Sequence, residues 1–271
     1  MAGNPVTPAR DIVRTCRVGV LVAPDASAVL RRAAVFAAAE LTVAGIDAVT
    51  VAADANSDGF DGGIWAGVAG DVTRPPNTVV IHERGVEATH LDVSYSLFDV
   101  GRVAAEHLRQ YRRNRLAIVF DEDLDTARRA AILAGFGSVS TPALIADLAD
   151  WPDSISAGRR RFDGVFATSA LTAAVVVNTA QRRRLGVPGD LAVVGFDYSG
   201  TERIHLGVSL TTVDLPSRRM GSTAARMVIA ALAGRRVGTT SRTLSPQITA
   251  RRSAPRAPRP RTSERPTALI S

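Results

Sequence analysis

Short apolar runs alternate with longer amphipathic stretches along the chain. The runs fall at Val18–Val22, Ala48–Val51, Val79–Ile81, Leu116–Phe120, Val165–Ala167 and Leu191–Phe196. Most lack the every-second-residue alternation of a strand with one wet face, so they read as parallel strands covered on both faces. Helical spacing fills the intervals. This succession predicts an α/β fold, with parallel sheets joined by crossover helices.

Three helices stand out. Phe98–Tyr111 places Val100, Val103, Ala104, Leu108 and Tyr111 on one stripe. Ser169–Leu185 follows Thr168, read as its cap, and stops at Gly186 and Pro188. Its Arg182–Arg184 triplet is read as cations beside the negative end of the helix dipole rather than as an anion site. Pro216–Gly234 aligns Met220, Ala224, Met227, Val228 and Ala231 at three-to-four spacing, a core pattern.

Composition narrows the function classes. The 271 residues carry a net charge of +7. Residues 251–271 hold six arginines against one glutamate, which leaves the body at +2. The body therefore gives no bulk signal for nucleic acid. The tail is rich in Pro and Arg, is expected to be disordered, and is read as a solvated extension. Every cationic side chain counted is arginine, so lysine chemistry is excluded. One cysteine, Cys16, rules out an intrachain disulfide and suits a reducing, cytoplasmic setting. No signal peptide and no membrane-length apolar run is read. The four histidines are scattered, no cysteine cluster could hold zinc, and Gly59–Gly70 do not form a dinucleotide fingerprint. No metal, cofactor or catalytic residue is expected.

One long segment carries a resemblance. DGVFATS, LGVPGDLAVVGFD, LTTV and a later Pro and Met-Gly fall in order within Phe162–Gly221. Together they resemble the sensor domain of the lactose/galactose repressor (LacI/GalR) family. VGVLVAPD, VVIHERG, GRVAAEHL, RNRLAIVF and LSPQITARRS add weaker matches, the last with Arg251 and Ser253 at the family's Arg and Ser positions. The resemblance spans about residues 16–254.

It implies a two-lobed periplasmic-binding-protein-like fold, each lobe a parallel sheet flanked by helices. Three crossovers are expected, near Val93–Asp99, near Thr212–Val213 and after Gly234. Residues 16–95 plus 213–236 would form the N-terminal lobe, and 96–212 plus 237–254 the C-terminal lobe. Residues 1–15 and 255–271 would be disordered. Ligand would lie between the lobes at the carboxyl ends of the strands, where open parallel sheets generally bind.

By position, the resemblance carries ligand-binding roles to Asp25, Arg84, Ser96, Arg129, Ser169 and Asp197. Asp197 stands in GFDY, where a strand-end carboxylate accepts from hydroxyls or cations. Arg129 is a forked donor at a helix start, with Arg128 its rival if the register slips. The family's Asp-Asn at the first crossover is Ser96-Leu97 here, its Asn-Asp is Ser169-Ala170, and an aromatic pair is Val29-Leu30. These departures argue against a simple hexose. The implied function is effector sensing in a dimeric transcriptional regulator. Operator DNA would be read only through a helix-turn-helix domain, which the 17 residues before Val18 do not resemble. A DNA-free solute-binding or dimerisation protein is the alternative.

Overall fold

A computed structural model describes residues 16–24, 26–52, 59–67, 74–83, 91–154, 162–196, 207–235 and 240–255. Twelve strands among them form two six-stranded sheets. The first contains β1 (Arg17–Val22), β2 (Asp47–Ala52), β3 (Gly62–Ala66), β4 (Thr78–Glu83), β5 (Leu91–Tyr95) and β11 (Thr240–Thr243). Its order is β11-β5-β4-β3-β1-β2, and every pairing is parallel. The second contains β6 (Leu116–Phe120), β7 (Leu144–Asp147), β8 (Gly164–Ala167), β9 (Ala192–Phe196), β10 (Thr211–Asp214) and β12 (Gln247–Thr249). Its order is β12-β10-β9-β8-β6-β7, with β12 alone antiparallel. The two-lobed α/β architecture expected from the sequence is present.

Helices cover the sheets. α1 (Ala28–Val43) and α6 (Ser217–Leu232) pack together against the first sheet. Val29 and Leu30, which replace the family's aromatic pair, are buried in that core. α2 (Leu97–Gln110) and α3 (Thr126–Gly137) pair on one face of the second sheet, and α5 (Ala170–Arg182) covers the other. The one-turn α4 (Trp151–Ser154) follows β7. A Cβ on Gly101 would lie 2.0 Å from the Ile132 carbonyl oxygen, and one on Gly135 1.8 Å from that of Phe98. Backbone thus meets backbone where α2 crosses α3, and only glycine fits there.

The crossovers fall at the cleft. The first is Ser96, between β5 and α2. The second lies at Leu215–Pro216, three residues later than expected, because β10 stays in the second sheet through Asp214. The third comes after β11 rather than after Gly234. Thr240–Thr243 pair with Leu91–Ser94 in the first sheet, so residues 240–243 belong to the N-terminal lobe. The cap of α5 also differs: Ser169 accepts the Thr172 N–H at 3.0 Å, while the Thr168 hydroxyl accepts the Asp121 N–H at 2.8 Å.

Candidate functional site

In a parallel sheet all carboxyl ends point one way, and in both lobes they point at the crossovers. The first sheet brings Glu83 and Tyr95 there, at the ends of β4 and β5. The second brings Asp121 after β6, Asp147 closing β7, and Thr168 and Ser169 after β8. The loop into α3 adds Glu122, Asp123 and Asp125, so this rim of the second lobe is acidic.

Asp121 is the hub of the C-terminal side. Its Oδ2 accepts the Ser169 hydroxyl in a short contact and the Thr172 hydroxyl at 3.3 Å. Ser169, a predicted ligand contact, is therefore both the α5 cap and a donor to Asp121. Arg129, also predicted, spends its guanidinium on the protein. Its Nε donates to the Leu124 carbonyl at 2.8 Å, its Nη2 to the Asp121 carbonyl at 2.8 Å, and its Nη1 closely to Asp147. It also stacks over Phe120, 5.3 Å from the ring centroid. Arg129 thus braces the Asp121 loop against β7.

Its neighbour Arg128 spans the lobes. Arg128 Nε donates to Glu83 Oε2 at 3.3 Å, and the same oxygen accepts the buried Tyr95 hydroxyl at 3.1 Å. Arg128 Nη1 also donates to Asp125 at 2.7 Å. Asp125 caps α3 by accepting the Arg128 N–H at 2.9 Å, and this bond, helped by the guanidinium charge, holds its carboxyl below the ordinary value.

Ser96 sits buried ahead of α2, yet its hydroxyl makes no capping bond to the helix. Among the described residues it finds no protein partner. Asp25, Arg84 and Asp197 lie outside the described residues. Sequence reasoning missed Asp121, Tyr95 and Thr172. Asp121 was within reach of a simple rule, being the first acid after the apolar run Leu116–Phe120 and so at a strand's carboxyl end.

Behind the rim is a polar ladder, buried at His82 and Asp92 and exposed at Ser241. His82 Nε2 lies 3.1 Å from Asp92 Oδ2, which also accepts the Ser241 hydroxyl at 3.0 Å. His82 Nδ1 lies 2.8 Å from the Glu83 carbonyl oxygen. The ladder fixes β4, β5 and β11 side by side and sets the backbone that presents Glu83. Among the described residues no group of His, Cys, Asp and Glu could hold a metal ion, and no helix is long and apolar enough to cross a membrane.

Residues 104–254 match the family model of the periplasmic binding protein-like domain. No curated protein matches the sequence. Several solved structures share the fold. The dimeric Lac repressor with an 11-residue C-terminal deletion is 14% identical with a TM-score of 0.66, over 88% of this chain and 98% of that one. A LacI-family transcriptional regulator from Sanguibacter keddieii is 21% identical at 0.62, over 88% and 98%. One from Enterococcus faecalis with bound ribose is 17% identical at 0.62, over 89% and 100%.

Proposed function

The chain belongs to the periplasmic binding protein-like domain family, and from that premise we propose that it is the effector-sensing domain of a LacI-type transcriptional regulator. A small polar metabolite binds between the lobes and changes their spacing. The observation that carries this reading is the meeting of two sets of strand ends at one cleft, bridged by Glu83 and Arg128. Such a site can have two states, because a ligand that favours a lobe spacing other than the one held by the Glu83–Arg128 pair shifts the balance between them.

Ser96 supplies a hydroxyl that has no protein partner among the described residues, and Asp25, Arg84 and Asp197 complete the polar set by their positions in the chain. Ser169 and Arg129 act at one remove, by holding Asp121 in place. The relative from Enterococcus faecalis holds ribose, and a further neighbour, CelR, is a cellobiose complex. A sugar or another hydroxyl-rich metabolite suits an acidic rim, since carboxylates accept from hydroxyls. The protein works without catalysis, in the cytoplasm, as a homodimer. Operator DNA is reached through a helix-turn-helix domain.

A thermal-shift screen against pentoses, hexoses, disaccharides, polyols and nucleosides tests the proposal. A ligand at 100 times its dissociation constant adds about 2.7 kcal/mol of stability, a readily measured shift. The expected result is a hit that Asp197→Ala abolishes. A hit unaffected by Asp197→Ala and Ser96→Ala would place binding elsewhere and refute the cleft assignment.

A further inference from the structure

The second lobe is electrically polar along its strand direction. Its cleft end is acidic. Its opposite end, where the strands begin, gathers arginines from three separate segments. The end of α2 and the turn into β6 carry Arg109, Arg112, Arg113 and Arg115. The end of α5 carries Arg182, Arg183 and Arg184, and the segment after β12 carries Arg251 and Arg252. All but the half-buried Arg113 are exposed.

These segments touch. Arg113 Nη2 donates to the carbonyls of Pro188 at 2.5 Å and Gly189 at 3.0 Å, tying the β6 turn to the loop after α5. The Arg252 N–H donates to the Ser209 hydroxyl at 3.3 Å, and a Cβ on nearby Gly207 would lie 3.3 Å from the Gln181 side chain of α5. The arginines therefore share one continuous base. Among the described residues, Asp163 and Asp190 stand among them, and both are used by backbone. Asp163 accepts the N–H groups of Asn114 and Arg115, each at 3.0 Å, and Asp190 accepts that of Gly186 at 2.8 Å. Among the described residues, none of the eight exposed arginines forms an ion pair. The dipoles at the ends of α5 and α2 account for the triplet and for Arg109, but not for Arg115 ahead of β6 or for Arg251 and Arg252 after β12.

We propose that this base is a docking surface for the phosphate backbone of nucleic acid, separate from the ligand cleft. Protein interfaces need an apolar centre inside a polar rim. The large exposed apolar side chains among the described residues are Val35, Val43, Phe98, Ile145 and Leu171. None is at the base: the first two are on α1, Phe98 and Leu171 open their helices at the cleft end, and Ile145 lies within β7. A phosphate backbone needs no such centre. It needs cations spread over a face, and guanidinium forks match phosphate oxygens two at a time.

The test uses the full chain and a labelled duplex of arbitrary sequence, with anisotropy followed from about 50 to 200 mM salt. Binding should weaken with salt at a log–log slope of roughly −3 or steeper. R182Q/R183Q/R184Q and R109Q/R112Q/R115Q should each flatten that slope by about 2–3 and weaken binding at least tenfold, roughly, at the lowest salt. R256Q/R259Q/R261Q/R265Q, in the C-terminal tail, should keep most of the binding. Absence of binding by the wild type would overturn the proposal, as would its loss in the tail variant alone. Competition by polyglutamate as strong, charge for charge, as by DNA would overturn the assignment to nucleic acid. A failed search for a cleft ligand leaves every one of these outcomes unchanged.

Discussion

Arg128 and Glu83 meet across the two lobes, with Nε 3.3 Å from Oε2, while the buried Tyr95 hydroxyl holds the same carboxylate oxygen from the first lobe's side. The arginine comes from the first turn of α3 and the carboxylate from the last residue of β4. Their pairing ties the mouth of the cleft to the state of its walls.

Glu83→Gln removes the charge of that pair and keeps an acceptor for Tyr95. Both side chains are partly exposed, so the ion pair is worth about 0.2–1 kcal/mol. The lobes should open up to about fivefold more often. Small-angle scattering of ligand-free protein should show a larger radius of gyration, with the difference shrinking in high salt. An unchanged radius at low salt would show that the pair does not set the lobe spacing.

Arg129 is expected to matter for stability before it matters for affinity. Arg129→Met keeps the stem over Phe120 but strands the acceptors at Leu124, Asp121 and Asp147. A loss of about 1–3 kcal/mol is expected, read as a fall of several degrees in melting temperature. Unchanged stability together with a lost ligand would assign Arg129 to the ligand instead.

The crossing of α2 and α3 leaves no room for a side chain. Gly135→Ala forces the two helix backbones apart at Phe98 and should cost about 1–3 kcal/mol. Denaturant unfolding measures it directly. A neutral result would mean the helices pack less closely than 1.8 Å from Cβ to oxygen implies.

The α3 cap gives a pH dependence. The folded-state pKa of Asp125 is lowered, chiefly by the Arg128 N–H it accepts. A lowered carboxyl pKa stabilises above the unfolded-state value, and that contribution is lost as pH falls through the folded-state value. Wild type should therefore exceed Asp125→Asn in melting temperature at neutral pH, and the two should converge in acid. A gap that persists in acid would remove the charge from the explanation.

How far the sequence could be read follows from what each strand buries. Val18–Val22, Leu116–Phe120 and Leu191–Phe196 sit in sheet interiors and are buried along most of their length, so their apolar runs are plain in the sequence. β5 reads LDVSY and β11 reads TSRT. Their polar residues turn to one another, with Asp92 on His82 and Ser241, and Ser94 on Thr243 at 3.1 Å. A ladder satisfied by hydrogen bonds leaves no hydrophobic signature, so β11 is silent in the sequence and the third crossover lies later than expected. At the site, position along the chain identified Ser169 and Arg129 as polar groups of the cleft wall. It could not show that Asp121, an unremarked acid between them in space, takes the Ser169 hydroxyl and one of the Arg129 donors, the rest of which go to Leu124 and Asp147. That fact lives in the tertiary contact of β6 with β8 and α3.

Isothermal titration of the best screened ligand into wild type, Ser96→Ala and Asp197→Ala tests the central claim most directly. Each variant removes one hydrogen-bonding group of the proposed site, and loss of a hydrogen bond to a charged group costs about 1.5–3 kcal/mol. The account predicts binding to wild type, weakened roughly tenfold or more by Asp197→Ala and to a lesser degree by Ser96→Ala. Equal affinity in all three proteins would contradict a sensor site between the lobes.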